Sequence, residues 1–212
     1  HKLALQTFVY FSQAWLDRAW LWHAPKAWVQ QRVRLTGALE ELAGNDPTVI
    51  FLPHFVGLDA AWAAMALAMP RPSTTIYTDQ SNKLVDQWIL QGRQRFGHLR
   101  LFGRIEGVKP IVAALREGQP LYLLPDMDFG PDESVFVPFF GVQAATLAAL
   151  PRFAKLGAAV VVPCVTRMLP GGRGYVVELG DPWEHFPGSS VEADARRMNE
   201  FLEERIRSMK AK

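Results

Sequence analysis

The chain carries a single cysteine, no apolar run of bilayer-spanning length, no low-complexity tract and little net charge. Each scarcity removes a class of function. One thiol, Cys164, cannot close an internal disulfide, and no Cys/His cluster has the spacing of a metal site. Its setting, Val160-Val161-Val162-Pro163-Cys164-Val165, reads as a buried structural thiol and permits a reducing compartment. A spanning helix needs roughly 18 uninterrupted apolar residues, and the nearest stretch, Asp59 to Met69, is too short. A net charge of +2 is too small to argue for nucleic acid. Neither a Walker A sequence nor G-x-G-x-x-G is present, so nucleotide chemistry has no support. There is also no G-x-S-x-G elbow, which leaves an acyl-enzyme without an obvious carrier.

What is present is the composition of a folded globule. The 212 residues, 49% hydrophobic and 21% charged, fit one domain spanning 1–212 with a real core. Aromatics reach 11%, with seven tryptophans, and arginine outnumbers lysine. The tryptophans suit either core packing or an amphipathic surface at a membrane interface. The chain starts at His1 without an initiator Met or signal-peptide pattern, so the expectation is a fragment.

Apolar residues recur at helical spacing from Leu3 to about His23, until Pro25 interrupts. A second helix is expected from Ala27 to about Leu42, stopped by Gly44-Asn45-Asp46-Pro47. Thr48-Val49-Ile50-Phe51-Leu52 lacks polar alternation, as a strand covered on both faces does. Beyond it the spacing predicts helices at 59–69 (closed by Pro70), 84–96, 111–116, 146–156 and 191–210. Strands are expected at 74–77, 121–124, 159–166 and 174–179, the last after a Gly-rich hairpin turn. Such alternation predicts an α/β fold with a mainly parallel sheet flanked by helices.

Open α/β sheets bind ligands beyond the carboxyl ends of their strands. Two such ends carry polar groups: Leu52-Pro53-His54-Phe55-Val56-Gly57-Leu58-Asp59 and Leu124-Pro125-Asp126-Met127-Asp128-Phe129-Gly130. In the first, Gly57 lets the chain fold Asp59 back towards His54 across a strand–turn–helix junction. A carboxylate beside an imidazole fixes its tautomer and stabilises the imidazolium, which is what deprotonating an alcohol requires. Spacing alone leaves open a plain N-cap for Asp59 and a structural loop histidine for His54. The stretch Gly92-Arg93-Gln94-Arg95, with Arg100 and Arg104 beyond, can hold phosphate; the alternative is a solvated helix end offsetting its dipole. Asp126 and Asp128 can orient a basic residue or receive hydrogen bonds at the site; as loop acids they equally suit turn formation, Asp128 more so.

These blocks together resemble the lipid A late acyltransferase family of Gram-negative bacteria, the lauroyl and myristoyl transferases. The resemblance is carried by His54-Phe55-Val56-Gly57-Leu58-Asp59, Gly92-Arg93-Gln94-Arg95 and the Leu124-to-Gly130 block. It continues through Ser134-Val135-Phe136-Val137-Pro138-Phe139-Phe140-Gly141, Ala144-Ala145-Thr146 and Gly157 to Pro163. It implies a fold similar to glycerolipid acyltransferases and transfer of an acyl chain from acyl carrier protein to a glycolipid hydroxyl. The implied setting is the cytoplasmic face of the bacterial inner membrane, with no metal or other cofactor. Carried over, His54 is the catalytic base and Asp59 its partner, while Arg93, Arg95 and Asp126 fall to substrate binding. Three departures stand out. Tyr77-Thr78 replaces the family's common Tyr-Arg, Met127 fills a slot often held by Gln or His, and the amino-terminal membrane helix and basic aromatic tail are absent. The first two bear on the identity of the acceptor lipid. Phe8, Phe11, Trp15 and Trp22 are candidates to wall an acyl groove or to touch a bilayer. The competing readings are a thioesterase or lipid hydrolase, with His54 activating water, and a silent lipid-binding member.

Overall fold

The computed structural model describes residues 2–69, 71–127 and 130–210. Pro70, Asp128 and Phe129, which entered the sequence reading, lie outside the described residues.

The amino-terminal apolar periodicity forms α1 (Lys2–His23). Pro25 stands at the amino-terminal cap of α2 (Lys26–Arg32), where its missing N–H costs nothing. The chain then turns extended as β1 (Val33–Gly37), followed by the single turn α3 (Glu40–Ala43). The helix expected over 27–42 is therefore replaced by two short helices around an edge strand. Val33-Arg34-Leu35-Thr36 alternates with period two and pairs with a distant strand, and that pairing overrides local helix preference.

β2 (Thr48–Phe51) is buried throughout and leads into α4 (Leu58–Ala68). β3 (Ser73–Tyr77) precedes α5 (Lys83–Arg93), whose first turn is capped by the Asn82 side chain accepting from the Leu84 and Val85 N–H groups. β4 (Leu99–Gly103), α6 (Val108–Arg116) and β5 (Leu121–Leu123) follow. A hairpin of β6 (Ser134–Phe139) and β7 (Val142–Leu147) precedes α7 (Ala149–Gly157). Last come β8 (Val160–Met168), β9 (Tyr175–Leu179) and α8 (Val191–Lys210).

Among the described residues seven strands form one sheet in the order β1-β9-β8-β2-β5-β3-β4. Every pairing is parallel except the β8–β9 hairpin, so the mainly parallel α/β sheet read from sequence is the observed one. β6 and β7 form a separate antiparallel ribbon packed on α8. This ribbon and β4 are absent from the sequence reading, and Thr146, expected to open a helix, belongs to β7. The turn residues Phe140 and Gly141 both have positive φ, the requirement of the tight two-residue hairpin turn.

Both faces of the sheet are covered. Ile50 and Leu52 pack with Leu21, Trp22, Val29, Met65 and Ile89 on the α1, α2, α4 and α5 side. Val49 and Phe51 pack with Ile111, Leu115, Leu150, Phe153 and Met198 beneath α6, α7 and α8. Each fully buried aliphatic or aromatic side chain contributes about 1.5–3 kcal/mol, and the two layers fix the central strands whose carboxyl ends carry the site. Cys164 is buried in the first of these layers, and burial pushes its thiol up to about 12. Among the described residues no helix is long and apolar enough to cross a membrane.

Candidate active site

β2 and β5 are neighbours, and their register pairs Phe51 with Leu123. Three residues beyond each partner, after a Leu-Pro step on both strands, stand His54 and Asp126. The Asp126 carboxylate meets His54 twice: Oδ1 lies 2.8 Å from ring Nδ1, and Oδ2 accepts the His54 backbone N–H at 2.7 Å. A carboxylate can only accept, so Nδ1 carries a proton, and in the neutral ring the lone pair is on Nε2. That is the tautomer of a general base.

The sequence reading pairs His54 with Asp59; in the structure the ring partner is Asp126, and Asp59 is committed elsewhere. Gly57, at φ 103, makes the left-handed turn into α4, and a Cβ there would stand 2.5 Å from the Tyr175 ring. That turn places Asp59 in the first turn of α4, favourable for an anion at a helix amino terminus. Its oxygens receive Arg18 Nε at 2.7 Å and Arg93 Nε at 2.9 Å. Asp59 is 7% exposed, so these are sheltered ion pairs rather than solvated ones.

His54 and Arg93 line one cleft of about 1030 Å³ at the carboxyl edge of the sheet. Its volume is at the upper end of the ~300–1,000 Å³ usual for small-molecule sites. Leu58, Trp62, Ile76, Val108, Ile111, Leu124 and Phe153 form apolar stretches of its wall, and Gln80, Asp132, Glu133, Ser134 and Arg152 add polar groups to it. Arg93 stacks over Trp62 at 4.3 Å and approaches the Tyr77 ring at 5.9 Å. The Tyr77 hydroxyl donates to Asp86 at 2.7 Å, and burial with this bond pushes the phenol up to about 12. Tyr77 is thus a neutral, fixed wall at neutral pH. Thr78 and Met127, two of the departures from the family pattern, also line the cleft.

The other arginines part company with Arg93. Arg95 donates to the carbonyls of Leu21 and Ala24 and lies over the Phe96 ring, so it caps the end of α1 rather than lining the cleft. The carbonyls it meets are among those that a helix end leaves without intrahelical partners. Arg100 lies at the amino end of β4 over Phe102, away from the cleft, and Arg104 opens a short 3-10 turn. Gly92 has a packing reason of its own: a Cβ there would stand 2.1 Å from the Trp22 ring. Trp22 is core, while Phe8, Phe11 and Trp15 are exposed, and none of the four lines the cleft.

Sequence reasoning missed Arg18, which sits on α1 far from every motif. It also missed the His54–Asp126 pairing, although the shared Leu-Pro offset on two buried strands was a usable signal.

A histidine held by a carboxylate thus opens on a cleft at the carboxyl edge of a mainly parallel α/β sheet. The profile of the bacterial lipid A biosynthesis acyltransferases matches residues 1–211, and the chain belongs to that family. A lipid A biosynthesis acyltransferase of Haemophilus influenzae is 37% identical over 155 residues, 73% of this chain and 48% of that protein. The lipid A biosynthesis myristoyltransferase of Escherichia coli K12 is 34% identical over 178 residues, covering 82% and 54%. The chain thus spans about half the length of these relatives. Among solved structures, the 1-acyl-sn-glycerophosphate acyltransferase of Thermotoga maritima aligns at TM-score 0.49 and 15% identity, covering 97% of this chain and 81% of that one.

Proposed function

We propose that the chain transfers a fatty acyl group from an acyl carrier protein thioester to a hydroxyl of a membrane glycolipid, a lipid A precursor or a related lipid. The observation that carries this reading is the His54–Asp126 pair, which leaves Nε2 as the basic ring nitrogen of a residue lining the cleft. The acceptor hydroxyl gives its proton to Nε2 as its oxygen attacks the thioester carbonyl. Asp126 stabilises the imidazolium that forms. Arg93 spends only Nε on Asp59 and offers its remaining N–H groups to the oxyanion or to an acceptor phosphate. Collapse of the tetrahedral intermediate expels the thiolate, which recovers the proton from Nε2. No covalent enzyme intermediate is needed.

The setting proposed is the cytoplasmic face of the inner membrane. The support is α1, whose Leu3, Leu5, Phe8, Val9, Phe11 and Leu16 are each more than half exposed, an apolar amino-terminal stretch suited to enter a lipid interface.

The test is to supply acyl carrier protein thioester and a panel of lipid acceptors in detergent. Acceptor-dependent product that vanishes in His54→Ala supports transfer. Acceptor-independent release of free fatty acid makes the protein a hydrolase using His54 on water, and no turnover by folded protein leaves a lipid-binding member.

A further inference from the structure

Arg18 reaches the site from the amino-terminal helix, 41 residues before the acid it holds. Its guanidinium is fixed from two sides, with Trp15 at 3.8 Å and Trp22 at 5.4 Å, and its side chain is 14% exposed. One Asp59 carboxylate therefore serves two permanently charged arginines, one oxygen for each Nε. A second buried acid, Asp17, stands beside this cluster on the Tyr175 hydroxyl, so the two arginines share their surroundings with two carboxylates while only Asp59 bonds them. Arg18 Nη1 is buried without a protein partner among the described residues, so stability alone does not account for its placement.

We infer that Arg18 is a positioning residue for Arg93, acting through Asp59. By occupying Oδ2, it holds the carboxylate to a single contact with Arg93. Without Arg18, Asp59 is free to rotate and take Arg93 in the two-bond fork that guanidinium and carboxylate prefer. That fork would draw the remaining N–H groups of Arg93 away from the cleft. Helix α1 is then part of the site itself, in addition to carrying an exposed apolar stretch. The inference deepens the acyl-transfer reading and rests on it for its kinetic consequence, not for its geometry.

The experiment compares the full chain with Arg18→Gln, Arg18→Lys, Arg93→Gln and the double variant Arg18→Gln/Arg93→Gln. The first readout is the ¹H–¹⁵N signal of Arg93 Nε, assigned by its loss in Arg93→Gln. It is expected to move in Arg18→Gln and to move less in Arg18→Lys, which restores the charge beside Asp59. An unmoved signal overturns the inference whether or not the protein transfers acyl groups. The second readout is turnover with acyl carrier protein thioester and lipid acceptor. Arg18→Gln should lower kcat about tenfold or more, with Arg18→Lys recovering much of it. On the Arg93→Gln background the same change should cost less than about twofold, because coupled residues are not additive. A fully multiplicative double variant would mean that α1 acts only as scaffold. Wild-type protein that transfers nothing to any acceptor defeats the functional reading, and the Nε signal still decides the positioning.

Discussion

Asp126 grips His54 by ring and backbone together, with Oδ1 at 2.8 Å from Nδ1 and Oδ2 at 2.7 Å from the main-chain nitrogen. One carboxylate thereby sets the position of the residue as well as its tautomer.

An Asp126→Asn variant separates these two duties. The amide oxygen can still accept one N–H, but the amide NH₂ must then face the other, and oriented to the ring it favours the tautomer with the proton on Nε2. kcat should fall by roughly 10²–10⁴-fold with a small change in KM. Steady-state kinetics check this, and a loss within about threefold would remove Asp126 from the base's machinery.

Asp59→Asn should act first on stability. It leaves Arg18 and Arg93 sheltered together without their shared anion, and breaking such a pair costs about 3–5 kcal/mol. Denaturant unfolding measures the loss. Stability near that of wild type would show that the two guanidiniums rearrange towards solvent.

Arg93→Ala and Arg95→Ala should fail in opposite ways. Arg93 lines the cleft, so its loss lowers turnover by about tenfold or more. Arg95 bonds carbonyls at the end of α1, so its loss lowers stability by about 1–3 kcal/mol and spares kcat. Parallel kinetics and melting curves on both variants decide it.

Gly92→Ala drives a methyl group into the Trp22 ring. Overpacking of this kind costs about 1–3 kcal/mol, and here it should also loosen α1 from α5. A melting temperature equal to wild type would mean that Trp22 has room to move.

Replacing Leu5, Phe8 and Leu16 with Ser should weaken co-sedimentation with anionic lipid vesicles while leaving the far-ultraviolet spectrum unchanged. The lost apolar burial is of the order of 25 cal/mol per Å². Unchanged binding would assign this stretch of α1 to something other than lipid.

Much of the frame was legible in the sequence because the central strands are unbroken apolar runs and the last helix is strongly periodic. What escaped depends on partners distant along the chain. β1 looks helical until β9 lies beside it, and β6 and β7 gain their apolar cover partly from α8. In the site, the motif spacing put Asp59 beside His54 in sequence, yet the turn at Gly57 sends Asp59 to α1 and α5. Asp126, 72 residues on, fills the place through sheet pairing. Arg18 has no motif of its own and becomes visible only when α1 is docked.

The alignment of Phe51 with Leu123 has a consequence for anyone recombining or editing this chain. Inserting one residue between 51 and 54, or between 123 and 126, looks harmless by the usual tolerance of strand–loop junctions. It would displace one partner by about 3.3 Å along the strand direction and turn it to the opposite face, separating His54 from Asp126 in an otherwise intact sheet. Chimaeras that cross over within either Leu-Pro step must therefore preserve its length to the residue.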